Sequence, residues 1–169
     1  MAKNIAITIE TPKGSTIKYD YDKKSGKFIV GKFLPMGMTF PFDFGFIPKT
    51  KGEDGDPLDV IMVSEYGSFP GCITKARIIG CMQAEQSTMP GKKKMIRNDR
   101  YIAIPEMSLV YKEIQDVGDL TDEIYKELKD FFCNYNHIEK KKFKEIKKLG
   151  KKKALQAISK NQGKRFLLF

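Results

Sequence analysis

The sequence is poor in the side chains on which several common kinds of site depend. It has one histidine, His137, and three widely spaced cysteines, Cys72, Cys81 and Cys133. Nucleophilic catalysis of the Ser-His or Cys-His type would therefore rest on a single imidazole. An odd number of dispersed cysteines predicts neither a disulfide framework nor a zinc site and fits a reducing compartment, so we expect a cytoplasmic protein. The chain also lacks the glycine-rich Walker loop that cradles nucleotide phosphates.

Long apolar runs are absent as well. No stretch approaches the roughly 18 uninterrupted apolar residues of a membrane span, and the N-terminus has no apolar signal core. We therefore expect no membrane partner. With 169 residues, 41% of them hydrophobic, the chain is long enough to form one domain with a sizeable core.

The net charge of +10 is confined to one end of the chain. Residues 1–139 hold 19 basic and 20 acidic side chains, whereas residues 140–165 hold 12 basic side chains and one acidic. We predict that residues 140–169 are a basic C-terminal extension of the domain formed by residues 1–139, partly helical or disordered. Charge alone gives only weak, salt-sensitive affinity for polyanions, so any binding of nucleic acid should be non-specific.

The most informative stretch is acidic. Asp54, Asp56 and Asp59 fall within six residues, and an apolar run, residues 60–63, follows at once. Asp-Gly and Asp-Pro steps favour turns and the apolar run favours a buried strand, so the three carboxylates should converge where that strand begins. Converging carboxylates repel one another unless a cation lies between them, and Mg²⁺ prefers such oxygen ligands.

This acidic stretch has two other possible interpretations. The first is an acidic surface turn with no ligand. The second is a calcium loop, because Asp54, Asp56 and Glu65 occupy the first, third and twelfth positions of an EF-hand pattern. That pattern requires glycine where Asp59 stands, and Pro57 stiffens the turn, so the calcium interpretation fails.

The remaining periodicity predicts an α+β fold that is mainly β. Alternating residues predict strands over 5–10, 17–22, 27–34, 71–82 and 101–105. One convincing helix follows, capped by Asp119 or Thr121 and carrying apolar residues at helical spacing. Short strands followed by a late helix predict a small closed or partly open β-barrel with helices outside it.

A barrel with clustered carboxylates and basic residues suits phosphoryl transfer to water. In that chemistry, metal ions and cationic side chains neutralise the phosphate oxygens while a carboxylate orients or deprotonates the attacking water. The candidate phosphate contacts are basic residues that lie away from the C-terminal extension: Lys18, Lys32, Lys92, Lys93, Lys94, Arg97 and Arg100.

These motifs resemble those of the soluble family I inorganic pyrophosphatases. The run from Asp54 to Val60 matches the signature of that family, and the flanking segments 9–15, 17–20 and 102–105 agree in order and spacing. The resemblance implies an OB-like closed β-barrel with outer α-helices, a Mg²⁺ requirement and hydrolysis of pyrophosphate to two phosphates. For a chain this short, it also implies a homo-oligomer, with a hexamer favoured.

The resemblance further assigns roles to individual residues. Asp54 and Asp59 become metal ligands, and Asp56 the carboxylate that activates the metal-bound water. The other positions carried over are Lys18 and Tyr135 as phosphate contacts, Glu10 as a further metal-associated acid and Glu85 as an acid lining the same cavity.

The chain also departs from the family pattern. Lys32 replaces an arginine and so loses a bidentate fork, while Asp20 replaces a glutamate. Asn136 replaces the lysine after the tyrosine. Phe40 and Phe44 occupy tyrosine positions, so two hydroxyl groups are missing.

The most consequential departure lies at Asn98. By register from Ile102, a metal-binding aspartate of the family falls on Asn98, Asp99 is one residue out of register and Arg100 takes the place of a lysine. Because a one-residue shift in a strand reverses the face of a side chain, either a bulge turns Asp99 inward or Asn98 ligates through a neutral oxygen.

Two alternatives to a pyrophosphatase remain open at this point. The first is a non-catalytic OB-like module that binds polyanions through the basic extension. The second is a hydrolase of another phosphate ester, which would use Phe40 and Phe44 as apolar walls.

Overall fold

The computed structural model describes residues 4–162. Lys164 and Arg165 of the basic extension therefore lie outside the described residues. Residues 4–162 form nine strands, two α-helices and the short 3-10 helix Val117–Asp119. The strands and helices are β1 Ile5–Thr11, β2 Ile17–Asp22, β3 Lys27–Phe33, β4 Asp43–Ile47, β5 Leu58–Met62, β6 Ile73–Ser87, β7 Met95–Arg97, β8 Arg100–Pro105, α1 Asp122–Ile138, β9 Phe143–Gly150 and α2 Lys151–Lys160.

The main sheet is organised around the long strand β6. β6 pairs antiparallel with β1, β7, β8 and β9, β1 pairs antiparallel with β4, and β4 pairs antiparallel with β5. The pairing of β5 with β8 is parallel. The strands β2 and β3 form a separate two-stranded ribbon. The fold is thus mainly β with two helices, and the α+β, mainly β prediction is confirmed at this level.

Two apolar clusters hold the helices against the sheet. One contains Val60 of β5 and receives Ala154 and Ile158 from α2. The other contains Ile102 of β8 and receives Leu128, with Phe132, from α1. β5 and β8 can supply apolar side chains to both clusters because successive side chains of a strand point to opposite faces. This explains why residues 60–63 are apolar without interruption.

The helix α1 begins close to the predicted position. The hydroxyl of Thr121 accepts a hydrogen bond from the backbone N–H of Ile124 at 3.3 Å, which caps the first turn. No helix within residues 4–162 has the length and apolar character needed to cross a membrane.

The first part of the basic extension is a strand, which the sequence analysis does not predict. β9 pairs with β6 from Gly150, opposite Gly80, to Phe143, opposite Gln86. Its lysines are exposed, as charged residues often are on an edge strand, and they conceal the alternation that normally identifies a strand. The helix α2 follows directly and agrees with the helical part of the prediction.

Candidate active site

A cavity of about 380 Å³ lies between the β2–β3 ribbon, the acidic turn and α1. Most of the residues predicted from the sequence line this one cavity: Glu10, Lys18, Lys32, Asp54, Asp56, Asp59, Asn98, Arg100 and Tyr135. The predicted acids Glu85 and Asp99 are not part of the lining, and neither are four of the candidate phosphate contacts, Lys92, Lys93, Lys94 and Arg97. The residues that the sequence analysis missed in the lining include Lys23, Gln86, Glu139 and Lys141.

One wall of the cavity is acidic. The carboxylate of Asp54 accepts the backbone N–H of Asp56 at 3.0 Å, and Gly55 between them has a φ of 88°, which favours glycine. The turn therefore directs two carboxylates toward the same opening. Asp56 is largely exposed, and its Oδ1 lies 3.1 Å from Nζ of Lys23.

The acids of this wall raise one another's proton affinity. Burial and the charges of Glu10 and Asp54 together raise the pKa of Asp59 to about 7, against the opposing charge of Arg100. Burial also raises the pKa of Glu10, although its carboxylate accepts the backbone N–H of Tyr21 at 2.9 Å. A cation between these carboxylates would lower the free energy of their ionised forms.

The donor set suits a hard divalent cation. The acidic wall offers only oxygen atoms, which Mg²⁺ prefers. Among residues 4–162, no three acidic, histidine or cysteine side chains lie close enough together to enclose a metal ion. A cation held through one or two carboxylates, with water completing its shell, agrees with this arrangement.

The opposite wall is cationic. Lys18 forms an ion pair with Asp20, and Lys32 forms one with Glu139. Nζ of Lys32 also lies 5.0 Å from the ring centre of Tyr135. Burial lowers the pKa of Lys32, and the positive charge of Lys18 lowers it further. Lysines that repel one another in this way would be stabilised by an anion placed between them.

Arg100 forms the floor of the cavity. Its guanidinium donates to the backbone oxygen of Asn98 and, at 2.7 Å, to Oε1 of Gln86, and it lies 4.8 Å from the ring centre of Phe132 and 5.3 Å from that of Phe143. Its Nε is buried and has no hydrogen-bond partner among residues 4–162. The side chain is only 4% exposed, so these contacts fix it rigidly.

Asn98, and not Asp99, faces the cavity. Oδ1 of Asp99 pairs with Nε of Arg97 and accepts the backbone N–H of Ala84 at 3.2 Å. These contacts hold the Asp99 carboxylate outside this cavity, in a smaller adjoining one of about 220 Å³ that Asp54, Asp59 and Asn98 also line. Of the two possibilities that the sequence leaves open, the position of the side chains favours the neutral amide of Asn98.

Glu85 also lies outside the cavity, because successive residues of a strand point to opposite faces. It lies on β6 opposite Arg97 of β7 and Lys144 of β9, while its neighbour Gln86 lines the cavity. The acid therefore points to the other face of the strand. This position gives no support to the assignment of Glu85 as an acid of the site.

Aromatic side chains close the inner end of the cavity. Phe40 and Phe44 are 4% and 8% exposed, and their ring centres lie 6.0 Å apart. Phe40 also packs on Phe131, with a distance of 4.9 Å between ring centres, and Phe44 packs on Phe132. Where the resembling family has tyrosines, these rings fill an apolar core.

Comparisons with known proteins find relatives over nearly the whole chain. The sequence pattern of the family described as "Inorganic pyrophosphatase" matches residues 7–165. The chain is 37% identical over 155 residues to the inorganic pyrophosphatase of Nanoarchaeum equitans, covering 91% of this chain and 92% of that protein.

Solved structures of pyrophosphatases share the fold. The Helicobacter pylori inorganic pyrophosphatase superposes with a TM-score of 0.86 at 29% identity, covering 95% of this chain and 92% of that one. The Thermus thermophilus enzyme gives 0.84 at 29% identity, covering 94% and 89%. The acidic signature, the cavity that it lines and a family match over nearly the whole sequence show that this chain belongs to the inorganic pyrophosphatase family.

Proposed function

We propose that the protein hydrolyses inorganic pyrophosphate to two orthophosphates with Mg²⁺ as its cofactor. The observation that carries this proposal is a single cavity lined by both carboxylates and lysines. Cations held by the carboxylates and the ammonium groups of the lysines can together neutralise both phosphoryl groups of the substrate.

The acidic wall is proposed to hold the metal ions. Asp54 and Asp59 would ligate them, Glu10 would lie close by, and Asn98 would contribute a neutral oxygen. When bound, Mg²⁺ supplies positive charge to the phosphate oxygens and favours ionisation of water. The positions of Glu85 and Asp99 do not support a ligand role for either.

Asp56 is proposed to accept the proton of the attacking water. Its carboxylate is exposed toward the cavity, and the turn fixes its backbone through Asp54. Its Oδ1 lies 3.1 Å from Nζ of Lys23, and an ionised carboxylate is the form that can accept a proton.

The phosphate groups are proposed to bind the opposite wall. Lys18 and Lys32 would exchange their ion pairs for phosphate oxygens, and the hydroxyl of Tyr135 would donate a hydrogen bond. Arg100 lies deeper, and the N–H of its Nε has no hydrogen-bond partner in the part of the chain that the structure describes. We propose that it contacts a phosphate oxygen or an ordered water.

The direct test is phosphate release from pyrophosphate at several Mg²⁺ concentrations. Asp56→Asn keeps the size of the side chain and removes its basicity, so we expect kcat to fall by about 10² to 10⁴, the usual contribution of a general base. Asp130→Asn, on the far side of α1, should leave kcat unchanged. Absence of phosphate release by the unaltered protein would overturn the proposal.

A panel of phosphomonoesters tests the alternative substrate class. Phe40 and Phe44 are committed to packing against Phe131 and Phe132, so they offer little free apolar surface to an organic leaving group. We expect kcat/KM for pyrophosphate to exceed that for every ester by a large factor. A higher kcat/KM for one of the esters would identify the protein as a hydrolase of phosphate esters.

We also propose a closed OB-like barrel and a single domain. The pairings lead from β1 through β4, β5, β8 and β6 back to β1, and this circuit supports closure. Pairing of β9 with β6 supports including residues 140–169 in the domain of residues 1–139. The free cysteines support a reducing, cytoplasmic setting.

A homo-oligomer, with a hexamer favoured, is proposed as the assembly. Large apolar side chains remain exposed on the chain, which supports burial of surface against other copies. They include Phe33, Met36, Tyr66, Phe69, Met107, Leu109 and Val110. Sedimentation velocity at micromolar concentration should show a species several times the mass of the chain, and a stable monomer would refute this assembly.

A further inference from the structure

The turn after α1 carries a lysine into the cavity. Lys140, with φ of 56°, donates its N–H to the oxygen of His137, and Lys141 donates its N–H to the oxygen of Asn136, both at 2.9 Å. These two bonds form a Schellman motif that reverses the chain. Lys142 then docks on β6, because its N–H donates to Oγ of Ser87 at 2.9 Å.

This reversal of the chain places the neighbouring residues Lys141 and Lys142 in different surroundings. Lys141 lines the cavity, its side chain is 23% exposed, and its Nζ lies 3.5 Å from Oε2 of Glu139. Lys142 is exposed and takes no part in the lining. The backbone, which is held on both sides by hydrogen bonds, sets this difference.

Lys141 gives the cationic wall its excess of positive charge. That wall contains three lysines, Lys18, Lys32 and Lys141, against the two carboxylates of Asp20 and Glu139. Without Lys141, the lysines and carboxylates of the wall would balance. Both Lys32 and Lys141 contact Glu139, on different oxygens, so a single acid holds two ammonium groups at the edge of the cavity.

The residue next to Tyr135 cannot supply that charge. Asn136 is neutral, is 2% exposed, and donates its side-chain amide to the backbone oxygen of Phe132 at 2.9 Å. Lys141 lines the same cavity as Lys32 and Asn136 and can supply a positive charge there. Its contact with Glu139 is longer than the ion pair that Lys32 makes, and so it is the easier of the two to exchange.

We propose that Lys141 is a further substrate-binding residue, whose ammonium leaves Glu139 to contact a phosphate group of pyrophosphate. This inference rests on the proposed function and adds to it a ligand from the basic C-terminal extension. Lys141 also contributes to the lowered pKa of Lys32, after burial and Lys18, which agrees with lysines gathered close enough to share one anion.

The test compares Lys141→Met with Lys142→Met, which removes the same charge one residue away. A charge-assisted contact is lost only in the first variant, so we expect KM for pyrophosphate to rise about 10- to 100-fold there and to stay within about 2-fold in the second. Lys141→Arg should recover most of the affinity. Equal KM values for the two methionine variants would overturn the inference.

A binding measurement separates this inference from the proposed function. Titration calorimetry with methylenediphosphonate and Mg²⁺ should show the same order of affinities without any hydrolysis. If the unaltered protein hydrolyses pyrophosphate while Lys141→Met binds the analogue normally, only the inference on Lys141 fails. If nothing is hydrolysed but the analogue binds through Lys141, the inference stands and the proposed reaction fails. Thermal unfolding of each variant should match the unaltered protein, because the turn is held through backbone atoms.

Discussion

Replacing Asn98 by aspartate should strengthen the binding of Mg²⁺. The substitution changes one amide into a carboxylate of nearly the same shape. The backbone of Asn98 is held on both sides, because its N–H donates to the oxygen of Ala84 at 2.9 Å and its own oxygen accepts from Arg100. We therefore expect the new carboxylate to remain in the cavity lining that the amide now occupies.

The size of the effect follows from the charges. A carboxylate in contact with a divalent cation, at about 4 Å between the charges, gains roughly 2 kcal/mol at a dielectric constant of 80 and roughly 8 kcal/mol at 20. Desolvation of the carboxylate offsets much of that gain, which leaves about 1 to 2 kcal/mol. The Mg²⁺ concentration for half-maximal phosphate release should therefore fall about 5- to 30-fold.

The matched control is Asp99→Asn, which removes a carboxylate one residue away. That carboxylate pairs with Arg97 outside the cavity, so the variant should lose stability without a change in Mg²⁺ requirement. The opposite pattern would refute the reasoning. If Asp99→Asn raises the requirement while Asn98→Asp leaves it unaltered, then Asp99 is the residue that serves the metal.

Three further predictions concern stability. Gly80→Ala should destabilise the protein by about 1 to 3 kcal/mol or more in denaturant unfolding, because its Cβ would lie 2.5 Å from Cβ of buried Val117; an unchanged midpoint would contradict this packing. Lys140→Gly should raise the free energy of unfolding by about 1 kcal/mol, since φ of 56° strains a lysine, and a lower melting temperature would argue against the turn. The hydrogen bond from Ser108, with others from backbone N–H groups, lowers the pKa of Glu65 to about 2 from 4.5. The stability that this carboxylate contributes is present above about pH 4.5 and lost toward pH 2, so Glu65→Gln should flatten the acid unfolding curve in that range.

The sequence predicts those parts of the fold in which one face of an element is apolar. Ile5, Ile7 and Ile9 are buried in β1, and the apolar stripe of α1 contacts the core, as their spacing indicates. β9 escapes prediction because three of its eight residues are lysines on an exposed edge, and its pairing with β6 depends on backbone atoms that carry no sequence signal.

Some residues of the candidate site could be predicted from the sequence, and others could not. The acidic run is local, so Asp54, Asp56 and Asp59 could be placed together from sequence spacing. Whether a residue of a distant strand faces the cavity depends on its position in the alternation of the two faces of that strand. A shift of one residue along β6 is enough to put Gln86 in the lining in place of Glu85. The position of Lys141 in the cavity lining is harder still to predict, because it is set by the left-handed backbone conformation of Lys140.

The replacements at positions 98 and 100 are best understood as a pair. A lysine at position 100 could form neither the fork to Gln86 and the backbone of Asn98 nor the stacking on Phe132, so its charge would be less firmly fixed. With a neutral amide at position 98, no carboxylate there competes for the guanidinium, and Arg100 remains the largest charge that opposes the protonation of half-buried Asp59. One residue removes a negative charge from the acidic wall, and the other holds a positive charge rigidly beneath it. We therefore expect the wall to attract cations less strongly but to retain an acid that a bound cation can still ionise. On the proposed function, this chain should differ from its relatives in the concentration of Mg²⁺ that it requires and not in the reaction that it performs.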